Sequence, residues 1–90
     1  MNSCTTERFR ACLARLPPEI QRQAHEAYTR FTSDPSHPGL RFKRVHPTEP
    51  VYSVRISLDC RAVGVRDGDT MIWFWIGSHS EYGRLLGSLA

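Results

Sequence analysis

Four basic side chains, Arg41, Lys43, Arg55 and Arg61, lie in the segment Leu40–Val65, LRFKRVHPTEPVYSVRISLDCRAVGV, at spacings that place them on one face of a small β-sheet. Successive side chains of a strand point to opposite faces. Leu40 and Phe42 then point one way, and Arg41 and Lys43 the other. In the next run Tyr52, Val54 and Ile56 share the apolar side, while Ser53 and Arg55 face out with the cations. An unpaired charge is very costly to bury, so this face meets either solvent or an anion. A guanidinium is a planar fork of donors that matches a phosphate with two hydrogen bonds. Arg55 and Arg61, on adjacent strands, suit that grip, and Arg41 and Lys43 suit contact with a polyanion backbone. His79 follows just after the last strand, and its imidazole can act as acid or base near neutral pH. Tyr82, three residues further on, has a ring that can stack on a base or assist the histidine.

Each of these residues also has a plainer reading. Arg41 and Lys43 are what any solvated surface carries, and Arg55 or Arg61 can pair with Asp59. His79 can be a helix-start residue, and Tyr82 can pack on the sheet through the apolar stripe that it begins. Trp73 and Trp75 can be taken as stacking platforms for bases, but in a central strand at least one belongs to the core. His25, His37 and His46 read as surface residues.

The elements that must position these groups follow from periodicity. Phe9, Cys12, Leu13 and Leu16 recur at helical spacing behind Thr5 or Thr6 as a cap. Pro17-Pro18 breaks that helix. A second helix is predicted over about Glu19–Phe31, with Ile20, Ala24, Ala27, Tyr28 and Phe31 on one stripe. Ser33–Gly39 is a loop. Four strands are predicted over Leu40–Val45, Val51–Ser57, Arg61–Arg66 and Met71–Ile76. Turns at Pro47–Pro50, Leu58-Asp59 and Asp67-Gly68-Asp69 make them an antiparallel meander. MIWFWI is apolar on both faces and should be the most buried strand. Gly77 ends it, and Ser78-His79-Ser80-Glu81 has the form of a capping box. Tyr82, Leu85, Leu86 and Leu89 then mark a short helix. The order ααββββα is an α+β domain: an N-terminal helical hairpin packed on a four-stranded antiparallel sheet, with a short C-terminal helix.

Ninety residues make a single domain, 1–90, with one modest core. A hydrophobic content of 40% argues against disorder. The net charge of +3 suits a nucleic acid or an acidic protein partner. Cys4, Cys12 and Cys60 are an odd number without C-x-x-C spacing, which suggests free thiols in a reducing compartment rather than zinc or disulfides. The first residues lack the apolar core of a signal peptide. The longest apolar run, Met71–Ile76, falls far short of the roughly 20 residues of a membrane helix. The expectation is a soluble cytoplasmic protein with no membrane contact.

This layout, with these residues in it, resembles the RelE/ParE superfamily of small bacterial toxins from type II toxin–antitoxin pairs. The matching stretches are LPPEIQRQAHEAY in the hairpin, HPGLRFKRV entering the sheet, VYSVRISLDCRAVGV in the middle strands, and MIWFWIGSHSEYGRLL at the end. Cys60-Arg61-Ala62-Val63 looks like the family's Tyr-Arg-x-Val signature, with cysteine where tyrosine is usual. Gly77-Ser78-His79-Ser80-Glu81-Tyr82 looks like its Gly-His-x-x-Tyr ending. Cys60 alternates with Arg61, so it should point to the opposite face and serve packing.

The resemblance implies a ribosome-dependent endoribonuclease that cuts mRNA and stops translation, with no metal or cofactor. The 2′-hydroxyl attacks the adjacent phosphate, which calls for a base, cations around the phosphorane and an acid for the leaving 5′-oxygen. It makes Arg55, Arg61, His79 and Tyr82 the catalytic candidates and Arg41 and Lys43 RNA-binding ones. The alternatives are a ParE-type poison of DNA gyrase without enzymatic activity, or an RNA-binding module that does not cleave. A cognate antitoxin is the implied protein partner, an acidic amphipathic segment on the hairpin or across the cationic face.

Overall fold

The computed structural model describes residues 1–89. Two helices open the chain after a short strand: β1 (Asn2–Thr5), α1 (Glu7–Ala14) and α2 (Pro18–Ser33). Thr6 caps α1 by accepting the Phe9 amide on Oγ1 at 3.1 Å. Pro18 stands in the first turn of α2, where its missing N–H has no helical partner to lose. A 3₁₀ turn over Pro38–Leu40 leads to β2 (Lys43–Arg44), and then come β3 (Val51–Ser57), β4 (Cys60–Asp67), β5 (Thr70–Ser78) and α3 (His79–Leu89).

The five strands lie in the order β1-β5-β4-β3-β2. The antiparallel meander is present, and β1 adds a fifth, parallel strand at the far edge, with Asn2 opposite Thr70 and Thr5 opposite Trp73. That strand was not expected. Its side chains have no apolar alternation; it is held from outside, where Tyr28 Oη donates to Ser3 O at 2.8 Å and Trp73 Nε1 donates to Ser3 Oγ at 2.7 Å.

Two layers of side chains cover the sheet. On one face α1 and α2 bury Phe9, Ala24, Ala27 and Phe31 against Val54, Ala62, Met71, Trp73 and Ile76. On the other, α3 brings Tyr82 onto Val51, Val63 and Trp75. Each large side chain so buried contributes about 1.5–3 kcal/mol relative to exposure. Trp73 and Trp75 are two apart yet face opposite layers. The β4–β5 register explains this, because it passes from Val63↔Trp75 to Gly64↔Trp73 and leaves Phe74 as an extra residue. Both rings are core, at 3% and 9% exposure, so neither is a platform for a base. A Cβ at Gly64 would lie 2.7 Å from Ile72 O, which is why the bulge takes glycine there.

The predicted strand Leu40–Val45 shrinks to two residues. Pro38 and Gly39 favour a tight turn, and Arg41 leaves it in the left-handed region at φ 47°. Leu40 is nonetheless buried and Arg41 exposed. At the other end, β5 continues through Gly77 to Ser78 and passes directly into α3. No helix among the described residues is long and apolar enough to cross a membrane.

Candidate functional site

Two cross-strand rows build the site on the α3 face of the sheet. In one, Lys43 on β2 stands opposite Ser53, which stands opposite Val63, which stands opposite Trp75. In the other, Arg55 stands directly opposite Arg61, and Arg61 opposite Gly77. Residues opposed across a strand pair share a face, so Lys43, Arg55 and Arg61 converge. Gly77 is obligatory at its end of the row: the Trp75 ring lies over it, and a Cβ there would be 2.6 Å from Trp75 Cζ2.

The β3–β4 turn holds the site's two most informative groups. Arg61 Nη1 donates to the carbonyls of Ser57 at 2.8 Å, Cys60 at 3.0 Å and Leu58 at 3.3 Å. One arm of the guanidinium thus closes the turn, and none of these three bonds uses Nε or Nη2. The His79 amide donates to Asp59 O, in the same turn, at 2.9 Å. The capping box then fixes the start of α3. Glu81 N donates to Ser78 Oγ at 3.2 Å, and Glu81 Oε1 accepts from Ser78 N and Ser78 Oγ at 3.2 and 2.9 Å. These bonds, helped by Arg84 and Arg15, lower the Glu81 pKa below its usual 4.5.

The result is a groove of about 220 Å³ whose walls include Arg41, Lys43, Arg55, Arg61 and His79, with Ser53 and Tyr82 beneath them. All six residues singled out from the sequence border this one space. Among the described residues the only ion pairs join Arg22 to Glu19 and Glu26 on α2. None of the four groove cations is within ion-pair reach of a carboxylate among the described residues, including that of Asp59. Like charges gathered without counter-charge leave a positive potential that an anion relieves. Arg55 also borders a second groove of about 330 Å³, shared with Arg30 of α2 and Gly39.

Ser53 and His46 behave differently from their sequence reading, and Tyr82 follows its packing one. Tyr82 is only 8% exposed and its hydroxyl lies 3.1 Å from Ser53 Oγ. It packs as the buried residue of α3, so stacking on an exposed base is not open to it in this conformation; its ring centroid is 5.8 Å from that of His79. Ser53 shares the face of the cations, as expected, but is covered by α3 and only 2% exposed. His46 is no idle surface group. Its Nδ1 accepts the amides of Glu49 at 2.9 Å and Thr48 at 3.2 Å, which leaves the proton on Nε2 to donate to Leu89 O at 2.9 Å and so ties the β2–β3 loop to α3. Cys60 points away from the groove into the core, at 5% exposure, and burial pushes its thiol pKa from 9.0 up to about 11. Among the described residues no group of three or more His, Cys, Asp or Glu side chains comes together as metal ligands.

Comparison with solved structures places this architecture. The RelB–RelE antitoxin–toxin complex from Methanococcus jannaschii matches over 90% of this chain and 95% of that one, at a TM-score of 0.73 and 16% identity. YafQ from E. coli matches over 90% and 96%, at 0.72 and 6%. The RelBE2 toxin–antitoxin complex from Mycobacterium tuberculosis matches over 87% and 96%, at 0.61 and 23%. At these identities the likeness is one of fold. No curated protein sequence matches the chain. The family model described as the ParE-like toxin domain matches residues 18–84, from α2 through the first turn of α3, and the chain therefore belongs to the ParE-like toxin domain family.

Proposed function

We propose that this chain is the toxin of a toxin–antitoxin pair and acts as a metal-independent endoribonuclease on mRNA at the ribosome. The observation that carries this reading is the groove itself: four cations without carboxylate partners among the described residues, with a histidine at their edge. Arg55 and the free part of the Arg61 guanidinium hold the scissile phosphate and stabilise the charge that builds on it. His79, exposed at the groove's rim, exchanges the proton with the 2′-hydroxyl or the leaving 5′-oxygen. Arg41 and Lys43 grip the backbone to either side. Tyr82 positions His79 from below rather than meeting the RNA face on.

Antitoxins accompany the toxins in two of the structurally similar complexes. An acidic antitoxin segment lying over the same cationic groove is the partner we propose here.

The test is a translation extract programmed with a defined mRNA. Cuts in codon register that require ribosomes support the reading. Intact mRNA together with accumulation of cleaved DNA–gyrase complexes overturns it in favour of the gyrase poison, a reading that the ParE-like description of the family keeps in play.

A further inference from the structure

We propose that Ser53 and Tyr82 form a hydroxyl pair that presents one O–H donor to a phosphate oxygen held between Arg55 and Arg61; the proposal deepens the nucleic-acid reading of this groove and rests on it. Ser53, at 2% exposure, is the one residue of polar type that is buried among the described residues. Its Oγ lies 3.1 Å from Tyr82 Oη, a buried contact in which either oxygen can donate. The two hydroxyls carry two protons and share one hydrogen bond. Neither oxygen has another hydrogen-bond partner among the described residues, so one proton is left without an acceptor. A buried donor in that state is destabilising unless something from outside accepts it. Both residues border the cationic groove, so the acceptor enters from there.

The direction of the pair follows from acidity. The phenol is the stronger acid and donates to Ser53 Oγ. The Ser53 proton is then the spare one, and a hydrogen bond received on the same oxygen polarises its O–H further. Lys43 stands directly across from Ser53, and Arg55, two residues along the same face, stands across from Arg61. A neutral donor at the floor of a ring of cations suits a phosphate oxygen, which accepts from charged and uncharged donors together.

The experiment is an amide NMR titration of the full chain with inorganic phosphate, then with a short RNA carrying a 2′-deoxy sugar at the scissile position. It is run on wild type, Ser53→Ala, Ser53→Thr and Tyr82→Phe. Phosphate should shift the amides of Ser53, Arg55, Arg61 and His79. Ser53→Ala should weaken binding of both ligands by roughly 10- to 100-fold, the value of a hydrogen bond to a charged group. Ser53→Thr, which keeps the hydroxyl, should bind within about threefold of wild type, and Tyr82→Phe should fall between. Equal phosphate and RNA affinity in wild type and Ser53→Ala overturns the proposal. If Ser53→Ala does not fold, an unchanged affinity in Tyr82→Phe overturns it instead. The ribonuclease reading is separable: loss of phosphate binding on Ser53→Ala, in a protein that leaves ribosomal mRNA intact, supports the anion site while refuting the nuclease. Wild-type cleavage by Ser53→Ala refutes the donor and leaves the nuclease standing.

Discussion

Replacing Arg61 separates two duties of one guanidinium. Its Nη1 closes the β3–β4 turn through carbonyl contacts at 2.8, 3.0 and 3.3 Å, while the rest of the group faces the groove. A protein hydrogen bond contributes about 1 kcal/mol net, and the longest contact, which is exposed, counts for little. Arg61→Ala should therefore lose about 2 kcal/mol of stability, and Arg61→Lys, whose ammonium can keep one carbonyl, about 1 kcal/mol. For a domain of this size that is a large share of the total, so activity must be compared at equal folded concentration. Losing a charged donor at a developing oxyanion lowers a rate by about 10²–10³. Lysine keeps the charge without the fork, so its deficit should be nearer tenfold, about 1.4 kcal/mol. Urea unfolding gives the first quantity, and cleavage of mRNA in a translation extract gives the second. If Arg61→Ala is as stable as wild type, the turn lock is wrong. If it cuts within threefold of wild type, Arg61 is a turn residue alone and the phosphate assignment fails.

Three further outcomes follow from the same geometry. The Cys60 thiol has a raised pKa in the folded chain, so its contribution to stability is complete below its ordinary 9.0 and is lost as pH climbs toward about 11. The difference in unfolding free energy between wild type and Cys60→Ala should shrink by about 2–3 kcal/mol across that window; parallel curves would refute a buried thiol. Glu81 is shifted the other way, so the cap's contribution is complete above 4.5 and disappears as pH falls through the lowered value. Protection factors at Ser78–Glu81, taken relative to the intrinsic exchange rate at each pH, should fall in acid for wild type and stay flat for Glu81→Gln, which can still accept both bonds. Arg41 holds a left-handed backbone that disfavours any side chain by about 1–2 kcal/mol. Arg41→Gly should leave stability unchanged or raise it by up to about 1 kcal/mol while weakening RNA binding; a loss of stability would show that the strain is not there.

What the sequence disclosed depended on how local each cause was. The runs of β3, β4 and β5 and the stripe of α2 carry their own periodicity, and their observed bounds lie within two residues of those expected. β1 has no such signal because its partners, Tyr28 and Trp73, stand 25 and 70 residues away from Ser3. The strand through Leu40 and Arg41 was wrong in conformation but right in outcome, since the 3₁₀ turn sends the apolar side chain inward and the cation outward as a strand would have done. The convergence of Arg55 with Arg61 needed only a short turn and an alternating pattern. The burial of Ser53 needed α3 to fold back over it, with its partner 29 residues on, and a lone serine in an apolar run is the sole hint.

The parallel pairing of β1 with β5 also dictates an order of events during synthesis. The first strand made must wait, unzipped, for the last one, because Asn2–Thr5 finds its neighbour only at Thr70–Trp73. The groove waits as well, since its walls are drawn from Arg41 to Tyr82. Such distant pairings come late. A nascent chain therefore carries no assembled groove until β5 and the start of α3 have emerged.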